Sequence, residues 1–257
     1  MLKISLTLVI PAYNEEERIE KTIEKISNYK NIEISEIIVV DDGSKDKTYQ
    51  ILKNLKEKYN NLKILKNEKN EGKGSALKKG ILAAKDEIPF ILISDSDLSS
   101  PIEEVERFLP YINDYAILIG SRGIDRSYIK KRQPLLREFM GIIFNLIVQL
   151  LFFPKIYDTQ CGFKLFKTSV GKKIFNEIMT KGFTYDVEVL ILAKLMGYKF
   201  KEVPVLWYHM GKSKVKLTKA PFLMFFELIN LYLSYRSRLK ALKPFFCGDK
   251  PLRKKVF

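Results

Sequence analysis

The sequence predicts an α/β fold with a mostly parallel central sheet, and two observations carry that prediction. Short apolar, often β-branched runs alternate with helical repeats through the first half, and polar or glycine residues gather where those runs stop. A third observation sets the second half apart. It holds two long apolar stretches flanked by basic residues, which read as amphipathic interfacial helices.

Residues 6–10 are an apolar run that stops at Pro11. Asn14 is expected to cap a helix, with Glu15, Glu16 and Glu17 in a first turn where acids suit the helix dipole. Ile19, Ile23 and Ile26 then recur at helical spacing. Residues 37–40 read as the second strand, and Ser44 or Asp46 as the cap of a helix carrying Ile51, Leu52 and Leu55. Residues 62–65 read as a strand, 73–84 as a helix and 90–94 as the fourth strand. Ser100-Pro101 opens a further helix, and 115–119 is the fifth strand. Right-handed crossovers place ligands beyond the carboxyl ends of such strands. Asn14-Glu15, Asp41-Asp42-Gly43-Ser44, Asp95 with Asp97, and Ser121-Arg122 follow four different strands, so four loops converge on one rim.

Asp95-Ser96-Asp97 is the most telling of these. Side chains two apart on an extended chain point the same way, so both carboxylates aim at one point if strand geometry persists. Paired carboxylates repel unless a cation or hydrogen-bond donors join them, and Mg²⁺ or Mn²⁺ is the simplest joiner. A solvated turn with a helix cap produces the same triplet; the three companion loops favour the metal site.

The 257 residues, with 46% hydrophobic and 29% charged side chains, suit one globular domain. The net charge of +15 points to an anionic partner: nucleic acid, anionic lipid or a phosphorylated substrate. No basic stripe with base-stacking aromatics and no helix-in-groove module is evident, so nucleic acid is not the expected partner. Gly72-Lys73-Gly74 is too short for a dinucleotide fingerprint, and no P-loop is present. Cys161 and Cys247 are far apart and expected to be reduced. The first residues lack a signal-peptide pattern, so the expectation is a peripheral protein on the cytoplasmic face of a membrane.

Residues 139–153 are almost wholly apolar but short of the ~20 that span a bilayer, and end at Pro154. Arg137, Gly141, Asn145 and Gln149 form one stripe at four-residue spacing. In residues 222–235 the stripe is Glu227, Asn230 and Ser234, with Lys212, Lys214, Lys216 and Lys219 before and Arg236, Arg238 and Lys240 after. Buried core helices and interfacial helices both fit this pattern; the basic flanks favour an anionic membrane surface.

Pro11-Ala12-Tyr13-Asn14-Glu15, Val40-Asp41-Asp42-Gly43-Ser44, Asp95-Ser96-Asp97 and Gly120-Ser121-Arg122 together resemble the motifs of glycosyltransferase family 2. Asp158-Thr159-Gln160-Cys161-Gly162-Phe163-Lys164-Leu165-Phe166 is similar to the signature of its dolichyl-phosphate β-glucosyltransferase branch, as are Tyr185-Asp186-Val187-Glu188 and Val205-Leu206-Trp207-Tyr208-His209. The resemblance implies a GT-A (Rossmann-like) fold and inverting transfer of a hexose, most simply glucose from UDP-glucose, to a polyprenyl or dolichyl phosphate. Pro11, Tyr13, Glu15 and Asp42 would contact the nucleoside. Asp95 and Asp97 would meet the metal-diphosphate, and Arg122 a phosphate. Arg132, Arg137, Lys164 and Lys214 are candidate cations for the acceptor, with Lys214 preferred and placed with Asp97 and Arg122 in the catalytic set. Asp186, Glu188 and His209 complete the acceptor side. Relatives often carry Ala where Ser96 stands. Residues 1–240 are then one domain, 1–125 for the nucleotide-sugar and 126–240 for acceptor and membrane, with 241–257 a basic tail. Mannosyl transfer from GDP-mannose, transfer to a non-lipid glycan, and a basic nucleic-acid-binding protein are the alternatives.

Overall fold

The computed structural model describes residues 4–211 and 220–241. Nine strands and seven α-helices are described: β1 (Ser5–Ala12), α1 (Ile19–Asn28), β2 (Glu33–Asp41), α2 (Thr48–Lys58), β3 (Leu62–Lys66), α3 (Lys73–Leu82), β4 (Phe90–Ile93), β5 (Ile117–Ser121), β6 (Ile129–Lys131), α4 (Leu135–Leu151), β7 (Lys164–Lys167), α5 (Thr168–Glu177), α6 (Tyr185–Leu195), β8 (Phe200–Pro204), β9 (Trp207–Tyr208) and α7 (Ala220–Ala241). Seven strands form one sheet in the order β3-β2-β1-β4-β7-β5-β8, and β6 pairs with β9 in a small parallel ribbon. This is the α/β, mostly parallel architecture that the sequence predicts.

One strand runs backwards. β7 pairs antiparallel with both β4 and β5, matching Lys164 to Ile93 and to Ile119. A reversed strand begins where its parallel neighbours end, so residues 157–163 enter at the ligand-binding rim. Periodicity did not expose β7, because four residues bounded by lysines carry no strand pattern of their own.

Apolar layers cover both faces. Ile10, Ile23, Leu52, Phe108 and Phe163 lie in one, and Val9, Ile93, Phe166, Phe175 and Leu190 in the other. Three expected helix starts differ. Asn14 does not cap α1; it sits at φ 54°, its amide donates to Ser44 Oγ and its side chain accepts from Lys45 N, which staples the first two rim loops together. Lys47, rather than Ser44 or Asp46, precedes α2, although Asp46 accepts from Thr48 N at 2.9 Å. The segment after Pro101 winds as a 3-10 helix, Ile102–Tyr111, that includes Pro110.

Both apolar segments are helical, and α4 is amphipathic in an inverted sense. Asn145 and Gln149 donate to the carbonyls of Tyr157 and Ile156, so the polar stripe faces the protein. Leu135, Phe139, Ile142, Leu146 and Leu150 face outward, Leu150 at 83% exposure. α7 packs beside it through an edge-on contact of Phe152 with Tyr232, and exposes Leu223, Phe225, Phe226 and Leu233. No helix among the described residues is long and apolar enough to cross a membrane.

Leu92 is fully buried in the middle of the sheet. Leu92→Ala is expected to lower the unfolding free energy by about 2–5 kcal/mol in denaturant titration.

Candidate functional site

The rim at the ends of β1, β2, β4 and β5 is built as four linked loops. Asp42 is buried and saturated: its carboxylate accepts from Asn67 Nδ2 at 2.8 Å and from the amides of Glu71 and Gly72 at 2.9 Å each. It therefore shapes the loop that leads into α3. Asp41 accepts from Ser44 N and keeps its second oxygen buried without a hydrogen bond. Pro11 and Tyr13 are half-buried beside it, and Glu15 binds Arg18 Nε at 2.7 Å.

β4 ends at Ile93, so a turn with Leu98 at φ 47°, not strand alternation, places the two acids. This corrects the expectation that extended geometry persists to Asp97. Asp95 Oδ1 lies 2.7 Å from Lys73 Nζ. Asp97 Oδ1 accepts from Ser99 N and Oγ, while Oδ2 lies 3.7 Å from Arg18. Ser96 is buried, which favours a small side chain between the acids, and its carbonyl accepts from Thr22 Oγ1 of α1 at 2.6 Å. The two carboxyl side chains keep 35% and 26% of their surface exposed. Hard, partly open carboxylates of this kind fit a divalent cation that takes its other ligands from a diphosphate and water.

Behind them lies a layer of buried charge. Arg122 binds Asp158 in a fork, Nε to Oδ2 at 2.6 Å and Nη2 to Oδ1 at 2.8 Å, with its amide adding 2.9 Å. Burial opposes both charges, but the pairing wins: the Asp158 carboxyl is held below its usual range and the Arg122 guanidinium above its own. Lys164 is fully buried and donates to Cys161 O at 2.6 Å and to Asp186. Burial raises Asp186, and Lys164 and Lys73 only partly offset that. Burial likewise disfavours charge on Asp95, yet Lys73, Lys164 and Arg122 together hold its carboxyl below the ordinary value. Gly162 presses on this carboxylate, where a Cβ would lie 2.2 Å from Asp95 Oδ2.

The predicted residues thus divide. Asp42, Asp95, Asp97 and Arg122 share the rim region. Lys164 and Asp186 lie in the layer beneath it, where neither presents an exposed surface to an acceptor. Glu188 is fully buried elsewhere, accepting from Thr180 N and Tyr235 Oη. His209 stacks near Trp207, with ring centres 6.1 Å apart, and Arg122 lies 5.3 Å over the same indole. Arg132 is exposed. Lys214 and the 242–257 part of the expected tail lie outside the described residues. Arg137, in the first turn of α4, feels both Arg122 and Asp97: burial and the Arg122 charge lower its pKa, with Asp97 opposing. Sequence reasoning missed Lys73. Its signal was the Gly72-Lys73-Gly74 triplet, whose φ of 100° at Gly72 only glycine adopts easily.

Comparison with known proteins identifies a glycosyltransferase. The sequence profile of Glycosyl transferase family 2 matches residues 7–175, and the chain belongs to that family. A dolichyl-phosphate beta-glucosyltransferase of Trichomonas vaginalis is 34% identical over 254 residues, covering 94% of this chain and 74% of the relative. The dolichyl-phosphate beta-glucosyltransferase of Saccharomyces cerevisiae is 34% identical over 255 residues, covering 91% and 75%. The human enzyme of that name is 31% identical over 227 residues, covering 82% and 69%. Among solved structures, glucosyl-3-phosphoglycerate synthase from Mycobacterium tuberculosis, in complex with Mn2+, uridine-diphosphate-glucose and phosphoglyceric acid, superposes with a TM-score of 0.65 at 18% identity, covering 92% of this chain and 80% of that one.

Two outcomes are expected at this site. Gly162→Ala should displace Asp95 and abolish transfer, whereas Gly141→Ala, with open space around it, should not, as read by product formation. Asp158 has a depressed folded pKa, so its contribution is complete above the ordinary carboxylate pKa of about 4 and is lost as pH falls below it. Asp158→Asn should cost about 3–5 kcal/mol at neutral pH and flatten the acid limb of stability, measured by denaturation from pH ~6 to ~2.

Proposed function

We propose that the protein transfers glucose from UDP-glucose to dolichyl phosphate or a related polyprenyl phosphate, with inversion, while bound peripherally to the cytoplasmic face of a membrane. One observation carries this reading. α4 brings Arg137 within electrostatic reach of Arg122 and Asp97 at its first turn and turns an apolar face outward along its length. An acceptor with a phosphate head and a hydrocarbon body has the same two parts in the same order. The relatives' names support the acceptor and the sugar, and the uridine-diphosphate-glucose complex of a structural neighbour supports the donor.

In this reading Pro11, Tyr13, Glu15 and the loop held by Asp42 receive the nucleoside. Asp95 and Asp97 would hold Mg²⁺ or Mn²⁺, which when bound supplies charge stabilisation to the departing diphosphate. Arg122, pinned by Asp158, presents a fixed guanidinium to the phosphates without reorganising. Arg137 meets the acceptor phosphate. That phosphate is ionised near neutral pH, so it needs placement opposite the leaving group rather than a strong base. In-line attack inverts an α-linked donor to a β-linked product. Residues 126–240 supply the acceptor and membrane-facing half, with Trp207 against Arg122 and His209 beside Trp207.

Three measurements test this. Radiolabelled UDP- and GDP-sugars, incubated with dolichyl or undecaprenyl phosphate, should label extracted lipid from UDP-glucose; label from GDP-mannose alone would replace the glucosyl reading. Asp97→Ala should cut transfer by at least about 100-fold with an unchanged circular dichroism spectrum, and normal turnover would remove the metal assignment. The protein should pellet with phosphatidylserine-containing vesicles at low salt and less at high salt, and Leu146→Asp should weaken pelleting. Protein left in the supernatant at low salt would overturn the membrane reading.

A further inference from the structure

We infer that α7 positions the donor-side carboxylate through residues 179–184, with Glu227 and Glu188 as its two points of attachment. The mechanical link stands on contacts within the chain. Its regulatory consequence rests on the proposed seating of α7 at a membrane.

The path is continuous. Glu227 of α7 accepts from Thr184 Oγ1, and its carboxylate lies flat on Gly182, where a Cβ would meet Oε1 at 2.8 Å. Glu188 accepts from Met179 N, from Thr180 N at 2.8 Å and from Tyr235 Oη of α7 at 2.9 Å. Residues 179–184 are thereby tied to α7 at both ends. The same segment grips the start of α3. Gly74 N donates to Lys181 O at 2.8 Å, and Ser75 N reaches the same carbonyl at 3.3 Å. A Cβ at Gly72 would lie 2.4 Å from Lys181 O, and one at Gly74 would lie 2.4 Å from Thr180 O. Backbone meets backbone here with no slack.

Lys73 stands between those two glycines. Its ammonium is 2.7 Å from Asp95 Oδ1 and 5.8 Å from the centre of the Tyr185 ring, the residue directly after Thr184. The preceding Gly72 N is held by Asp42. A shift of α7 therefore moves 179–184, the start of α3 follows, and Lys73 changes its hold on Asp95. Lys73 fixes the orientation of the Asp95 carboxylate through Oδ1, and a divalent cation binds that carboxylate best when it is held in place, so a loosened Lys73 lowers the affinity for a metal-nucleotide. Glu227 and Glu188 touch no reacting atom; they are positioning residues. Seating α7 on a bilayer fixes the chain of contacts and raises donor affinity.

The experiment compares wild type, Glu227→Ala and Glu227→Gln. Glu227→Ala should speed amide hydrogen exchange at Gly74 and Ser75 about tenfold with β1 unchanged, and Glu227→Gln, which keeps an acceptor for Thr184, should restore most of the protection. Unchanged exchange at Gly74 and Ser75 in Glu227→Ala would overturn the link. Binding of UDP with Mg²⁺ should weaken about fivefold in Glu227→Ala, and less than about twofold when Lys73→Met is already present. Additive effects would also overturn it, since a merely structural role adds. Phosphatidylserine vesicles should tighten that binding about fivefold in wild type but not in Glu227→Ala. Vesicles that bind the wild type without changing its affinity would sink the regulatory consequence alone. Protein that never pellets removes the membrane reading, and the vesicle-free arms still decide the link.

Discussion

Burying an ammonium costs several kcal/mol unless its partners are close and well aimed. Lys164 has no exposed surface, and it meets that requirement with Cys161 O and Asp186. The arrangement depends on β7 running against its neighbours, because only a strand that starts at the rim sets its first side chain under the ligand-binding loops. Asp186 arrives from the first turn of α6, Asp158 from the loop before β7, and Arg122 from the end of β5. Each charge has its counterion from a different element, so the layer fixes the relative positions of those elements as well as the field at Asp95.

The outer face follows the opposite logic. A soluble helix hides its apolar stripe, yet α4 gives its amide side chains to the carbonyls of 156 and 157 and leaves its leucines outside. Satisfying two backbone carbonyls favours that rotation of the helix; it leaves the apolar face of α4 uncovered, and α7 beside it exposes Leu223, Phe225, Phe226 and Leu233 as well. Such a surface is costly in water and stable against hydrocarbon.

The sheet was largely legible because its parallel strands are apolar runs followed by polar loops, and the four rim loops could be found by that rule alone. The same rule brought Asp42, Asp95, Asp97 and Arg122 to that rim. What periodicity did not carry is tertiary in origin. β7 has no pattern of its own, and its reversal is visible only in its pairing. Asn14 looks like a helix cap by type but is used to staple two loops. The apolar segments showed their stripes, but a stripe does not say which side docks. Lys73 was passed over because its glycines were compared with phosphate-binding loops. Their use here is to let backbone meet backbone.

The charges around Asp95 also bear on the role proposed for Arg137. Lys73, Lys164 and Arg122 face Asp95, Asp186 and Asp158, so the inner set is neutral pair by pair. A nucleoside diphosphate that arrives with a divalent cation nearly preserves that neutrality. A second phosphate does not, and it needs a cation that the inner set has not already used. Arg137 stands close enough to Arg122 for burial and like-charge repulsion to disfavour its proton, with Asp97 pulling the other way. An anion between two guanidiniums would relieve such repulsion, so in the proposed reading the acceptor phosphate would gain most beside Arg137. Arg137 lies in the first turn of the helix whose outer face is apolar, so the proposed reading would put charge recognition and hydrocarbon contact on one element.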